Sequence, residues 1–315
     1  MPNIKNPFEY AQFRRVKIVN SQKEEIRKFY RDGYDDIKKE IDKLPMKETE
    51  STIIKKMYLK SIQKEIDEYL KDVDKKTMYL VKGNMGKMVE IVSENNQMFM
   101  KKIGFTSVPE FMLNKKFKQD VVNRIVTGKL YGDKWNLSSA IWGDYANKKK
   151  EMSRIIADGL IKGKNINSIA KDIERYVNPR AIKGQKWIDE FHARKSIDYN
   201  SQRLARTMIS HAYQESFVSL TYKNPFIDAY RWVTSGGDKV CPLCIERETQ
   251  DLYGLGDGIY PKDKLPLDHP NGMCTFEVVV SMSDDEIAEA IADWYLGEGD
   301  DDMNRRLNEF VKSIK

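Results

Sequence analysis

The sequence predicts a mainly α fold with a small α+β, zinc-stabilised module. In order, it reads as a long N-terminal helical arm, a helical middle, and a short β-hairpin with a metal-clipped loop near the C-terminus. Three observations predict this. Apolar residues recur every three or four positions through most of the first 220 residues. Two stretches rich in β-formers, 229–234 and 275–280, follow and flank a segment dense in Gly, Pro and Asp. All three cysteines of the 315-residue chain fall between Cys241 and Cys274.

The arm comes first. Ser21 and Glu24 have the spacing of a capping box, in which the hydroxyl accepts from a free backbone N–H and the carboxylate reaches back. Ile26, Phe29, Tyr30, Tyr34, Ile37, Ile41 and Leu44 follow as one stripe, ended by Pro45. A second stripe runs through Ile54, Tyr58, Ile62, Ile66, Tyr69, Leu70 and Val73. A third segment, 75–103, carries Met78, Met85, Met88, Val89, Val92, Met98 and Phe99 and is weakened by Gly83 and Gly86. Its methionines read as adaptable core. Ser107, Pro109 and Glu110 start a further helix that ends near Gly128.

In the middle, Trp135-Asn136-Leu137-Ser138 reads as a turn and N-cap for a helix that stops at Gly163. Asn165 or Asn167 caps a short helix broken by Asn178-Pro179. A long helix covers 187–220, and everything between the two strands reads as loop. Ser283 precedes an acidic helix with Ile287, Ala290, Ile291 and Trp294, then a Gly- and Asp-rich break and a last short helix. The expected domains are 1–130 as arm or bundle, 131–283 with the zinc module at 229–280, and 284–315 as acidic tail.

The formal charge of +6 hides a split. Residues 231–315 hold 9 Lys and Arg against 18 Asp and Glu, which leaves 45 against 30 in residues 1–230. A basic body with an acidic end can face a polyanion on one side and a protein partner on the other, although a solvated surface accounts for the same numbers. Apolar runs such as Val278-Val279-Val280 are far shorter than the roughly 20 residues of a membrane span. The N-terminal residues lack the apolar core of a signal peptide, so no export is expected.

The chemistry concentrates in Cys241-x2-Cys244-x24-His269-x4-Cys274. Two thiolates on a tight turn supply half of a zinc tetrahedron, and His269 and Cys274 complete it as a closed structural site. A loop of 24 residues with little core of its own is where a metal clip contributes most. Cysteines that merely pack, or a redox pair, are the alternatives, and no βαβ pattern precedes the CxxC to support the latter. His192 and His211 read as ordinary helix histidines. No phosphate-binding GxxxxGK[ST] loop, GxSxG elbow or HExxH helix is present.

Residues 131–283 resemble the bacteriophage Mu F-like head morphogenesis family, found in phage minor head (minor capsid) proteins. The matching stretches occur in order: 135–138 with Ile141-Trp142, Gly163 to Ile173, Arg203-Leu204-Ala205-Arg206-Thr207, 230–234, Cys241-Pro242-Leu243-Cys244, Asp268-His269-Pro270 and Cys274. The chain departs from the family at Met208, where an acidic residue is frequent, and at Met273, where a basic one is. The resemblance implies a non-enzymatic virion protein of the head, near the portal vertex, present in the host cytoplasm during assembly. Its implied partners are the portal protein, other head proteins and packaged DNA bound without sequence preference, with no membrane and no small-molecule substrate.

For DNA, the candidate phosphate contacts are Arg180, Lys183, Lys186, Arg194 and Lys195. The alternative function is an HNH-like zinc-finger nuclease, in which a CxxC and an Asp268-His269 pair also occur. Against it, His269 is wanted as a zinc ligand, and His192 and His211 both lie upstream.

Overall fold

The computed structural model describes residues 7–43, 52–105, 115–134, 136–177, 197–236 and 240–314. They form a mostly helical protein with one small antiparallel sheet near the C-terminal end, as expected from the sequence. The helices are α1 (Pro7–Asp42), α2 (Thr52–Lys102), α3 (Lys115–Thr127), α4 (Leu137–Ile161), α5 (Ile166–Val177), α6 (Tyr199–Thr221), α7 (Pro242–Thr249), α8 (Asp284–Leu296) and α9 (Asp301–Ile314). The strands are β1 (Ala229–Val233), β2 (Ile259–Pro261) and β3 (Thr275–Val279), in the order β2-β1-β3.

Several local expectations are corrected. Helix α1 begins at Pro7, so Ser21 lies in its interior. No free backbone N–H remains there to cap, and the Ser21 hydroxyl instead donates to Glu25 Oε1 at 3.3 Å. The stripe that holds α1 starts earlier, with Phe8, Ala11, Arg15 and Val19 all buried. Helix α2 fuses the second and third predicted segments into one helix of 51 residues. Gly83 and Gly86 each cost about 1 kcal/mol in a helix interior, and the buried side chains of Val81, Met85, Met88, Val89 and Val92 outweigh this. Met98 is half exposed, and Met100 is buried in its place beside the expected Phe99.

Other signals read as expected. Asn136 and Ser139 form a capping box at the start of α4, and the Asn165 side chain accepts from Ser168 N at the start of α5. Ser283 and Glu286 form a second capping box, and Gly297 closes α8 in the left-handed conformation. Residues 106–114 and 178–196, which carry the predicted start of α3 and the first part of the predicted long helix, lie outside the described residues.

The chain divides into two compact units, each built from separated segments: 1–19, 82–130 and 206–315 form one, and 20–81 with 131–205 the other. These units do not coincide with the consecutive division 1–130, 131–283 and 284–315. The second unit is a helical assembly with a buried polar centre. Lys148 ion-pairs with Asp144 and contacts the Tyr30 hydroxyl, and Ser201 bonds both Tyr30 and Asp144. Gly33 lets the Tyr69 ring lie against the α1 backbone, where a Cβ would overlap it.

The first unit carries the sheet. Its core is a run of aromatic rings, with Phe8 edge-on to Phe217 at 4.8 Å, Phe217 near Phe276, and Trp232 edge-on to Phe276 at 5.2 Å. Trp232 and Phe276 are register partners across β1 and β3, so the sheet face that packs inward is fixed by these rings. No described helix is long and apolar enough to cross a membrane.

Candidate metal centre

The sequence between β1 and β3 is more structured than a loop. Pro242 occupies the first helical position of α7 with Cys241 as N-cap residue, a placement that suits proline because it has no N–H to satisfy. The Cys241 carbonyl accepts from Cys244 N and Ile245 N at 3.0 and 3.1 Å. One turn thus presents both cysteines of the CxxC from the start of a helix. Strand β2, only three residues long and preceded by Gly254, Gly256 and Gly258, pairs with β1 opposite β3. Its shortness and its glycines hid it from the sequence pattern.

The four expected ligands come together. His269 Nε2 lies 3.2 Å from Cys241 Sγ and 3.1 Å from Cys244 Sγ, and Cys274 Sγ lies 3.2 Å from Cys244 Sγ. A tetrahedral zinc site with bonds of about 2.0–2.3 Å has ligand–ligand edges of roughly 3.5–3.8 Å. These three edges are a few tenths of an ångström shorter, but Cys274 meets the other ligands only at Cys244 and does not lie within 4.8 Å of both Cys241 and His269, so binding one ion through all four donors requires its sulfur to swing toward them. Cys244 belongs to two triplets of donors, one with Cys241 and His269 and one with Asp268 and Cys274. The cluster can therefore hold a metal ion.

The histidine is poised for this role. Its Nδ1 lies 3.0 Å from the Pro270 carbonyl, which can only accept, so Nδ1 carries the proton and the Nε2 lone pair faces the two sulfurs. That orienting bond from the second ring nitrogen is the usual support of a metal-bound histidine. Burial pushes the Cys241 thiol up, but the Cys244 N–H, the Cys244 thiol and His269 together outweigh it and its net shift is downward. Burial raises the Cys244 and Cys274 thiols above their ordinary value.

The loop bearing His269 and Cys274 is held by a polar face that the sequence reading did not find. Thr207, Ser210, His211 and Gln214 lie at i, i+3, i+4 and i+7 on α6 and are all buried. Thr207 Oγ1 accepts from Asn271 N, and Ser210 Oγ donates to the Gly272 carbonyl. Gln214 accepts from Asp268 N and donates to the Pro266 carbonyl. Helix α1 adds Arg15, whose Nη2 donates to the carbonyls of Met273 and Cys274 at 2.7 and 2.8 Å, and Gln12, which donates to Met273 O. Gly272 has no room for a Cβ, which would collide with the Asp268 carboxylate.

His211 is one of these struts and not a ligand. Its Nε2 donates to the Asp268 carbonyl at 3.0 Å. Burial holds its pKa down at about 4, with the Asp268 bond opposing only partly. A histidine depressed in the folded state costs stability once the unfolded chain begins to protonate. The loss therefore starts near pH 6.5, grows as pH falls, and is complete at about pH 4, where it reaches about 3 kcal/mol. We expect wild type and His211→Gln to differ in unfolding free energy by an amount that shifts across this window in favour of the variant and is constant above it. A difference independent of pH between 7 and 4 would contradict the assignment.

Arg180, Lys183, Lys186, Arg194, Lys195 and His192 all lie outside the described residues. No family model, curated protein or solved structure matches the chain.

Proposed function

We propose that the chain is a phage minor head protein, a structural component of the virion head near the portal vertex that acts in head morphogenesis and in DNA packaging or ejection. One observation carries the reading. Three of the separated stretches that resemble the Mu F-like family, those ending at Thr207 and those around Cys241-Cys244 and Asp268–Cys274, converge on a single cluster. We further propose that the metal is one structural zinc bound by Cys241, Cys244, His269 and Cys274. Four protein donors leave no open position for a water, so the metal supplies folding energy and no hydrolytic chemistry.

The same geometry supports this over the nuclease alternative. A nuclease needs the His269 nitrogen free to activate water, whereas here Nε2 faces two sulfurs. The expected result is that mature particles contain the protein by mass spectrometry and that it co-purifies with the portal ring on co-expression. Its absence from particles would sink the proposal. Plasmid cleavage with magnesium or manganese that disappears in His269→Ala would replace it with the nuclease.

A further inference from the structure

The geometry points to a phosphate-binding cleft between the end of α6 and α9, formed by Lys223, Lys262, Arg306 and Lys312, that takes the backbone of nucleic acid. This deepens the DNA contact proposed above and rests on it. The cleft has a volume of about 590 Å³ and is also lined by Asn224, Pro225 and Glu309.

What singles it out is how its charges are left. The C-terminal 85 residues are acidic, yet three of their nine cations gather here, joined by Lys223. Among the described residues none of the four makes an ion pair. The one carboxylate in the lining, Glu309, is engaged by Arg305, which also pairs with Asp302. Asp228, which acts on Lys262 at longer range, accepts from Ser281 N.

Two of the cations are fixed by the backbone. Lys262 Nζ donates to the Asn224 carbonyl at 3.0 Å, and an Arg306 Nη donates to the Pro225 carbonyl. Burial and the neighbouring Arg306 push the Lys262 ammonium below its ordinary value. Like charges held together at half-buried positions repel, and a bound oxyanion removes that repulsion. Lys223 and Lys312 are exposed and make no hydrogen bond among the described residues, so they are free to close on a ligand. The Asn224 side-chain amide in the lining is engaged by Phe226 N and Met100 Sδ, so what the cleft offers is charge, which suits phosphates and not sequence.

The test uses the full chain and a double variant, Lys223→Gln with Lys312→Gln, which removes two charges without touching the backbone bonds. Circular dichroism checks the fold. Binding to a short DNA duplex is measured across a salt series, with tripolyphosphate and a polyglutamate peptide as separate arms. The expected result is tighter DNA binding by wild type, with a log–log salt slope reduced by about 2 in the variant. If only tripolyphosphate binds, and the variant loses it, the ligand is a free polyphosphate and the cleft stands while the DNA reading falls. If DNA binding is unchanged in the variant but lost when Arg180, Lys183, Lys186, Arg194 and Lys195 are neutralised, the DNA reading stands and the cleft falls. Preference for polyglutamate, or no anion binding at all, also overturns the proposal.

Discussion

Replacing Cys244 with serine is expected to empty the metal centre and release the segment it closes. Cys244 is buried, and its sulfur is the one that touches both His269 Nε2 and Cys274 Sγ. A serine hydroxyl at that place is a poor zinc ligand, and removing the donor common to both triplets leaves no complete set. Metal content should fall from about one zinc per chain to near zero. Closing a loop of this length costs about 3 kcal/mol in chain entropy, which the metal no longer offsets, so stability should drop by at least that amount. Hydrogen exchange should rise across 241–249 and 266–275. Leu243→Ser, at an exposed neighbour on the same helix, should keep its zinc. If C244S retained a full complement of metal, the cluster would not be the binding site.

The second large effect is expected at Arg15→Met. The guanidinium is fully buried, lies over the Tyr213 ring at 4.4 Å and donates to two consecutive carbonyls 258 and 259 positions away. Its Nε and Nη1 have no hydrogen-bond partner among the described residues, and neither does Asp268 Oδ2. Methionine fills much of the space but takes the guanidinium donor from the Cys274 carbonyl, leaves the Met273 carbonyl with Gln12 alone, and removes the Arg15 charge from beside the Asp268 carboxyl. Hydrogen bonds to a charged group contribute about 1.5–3 kcal/mol each, and stranding a buried partner costs about 3–5 kcal/mol. A loss of about 4 kcal/mol in urea unfolding is expected. Lysine should restore only part of it, because a single ammonium lacks the planar fork that spans two acceptors. A change within about 0.5 kcal/mol, the range of ordinary surface substitutions, would show that the contact is dispensable.

The parts that were legible in the sequence are those encoded locally. Asn136 reads as a cap because its bond reaches only three residues ahead, and Ser283, marked in the sequence only as the residue before the acidic helix, caps it in the same way. The ligand set read as a cluster because thiols and imidazole are scarce in this chain and their spacing is short. The rest depends on partners far away in sequence. Arg15 sits in a stripe of apolar residues, and nothing near it announces that its partners are Met273 and Cys274. Thr207, Ser210 and Gln214 look like the solvated side of a helix, and they are buried because the loop 266–272 brings matching backbone groups. Ser21 misled for the opposite reason: a correct local cap signal carries no weight once a helix already runs through it. The fusion of α2 across two glycines likewise reflects packing that outweighs propensity.

The clamp between α1 and the metal loop also sets an order of events. Arg15 leaves the ribosome early, but the carbonyls it needs are made some 260 residues later. At about 5–20 residues per second, that interval is roughly 10–50 s. During it, Arg15 has none of the carbonyls that it bonds in the folded unit. The unit that contains the candidate metal centre thus closes only after residue 274 has been made, and a pairing across some 260 residues makes folding slow for its helical content. A metal ion bound there through Cys274 would be captured only once the chain had been made as far as β3.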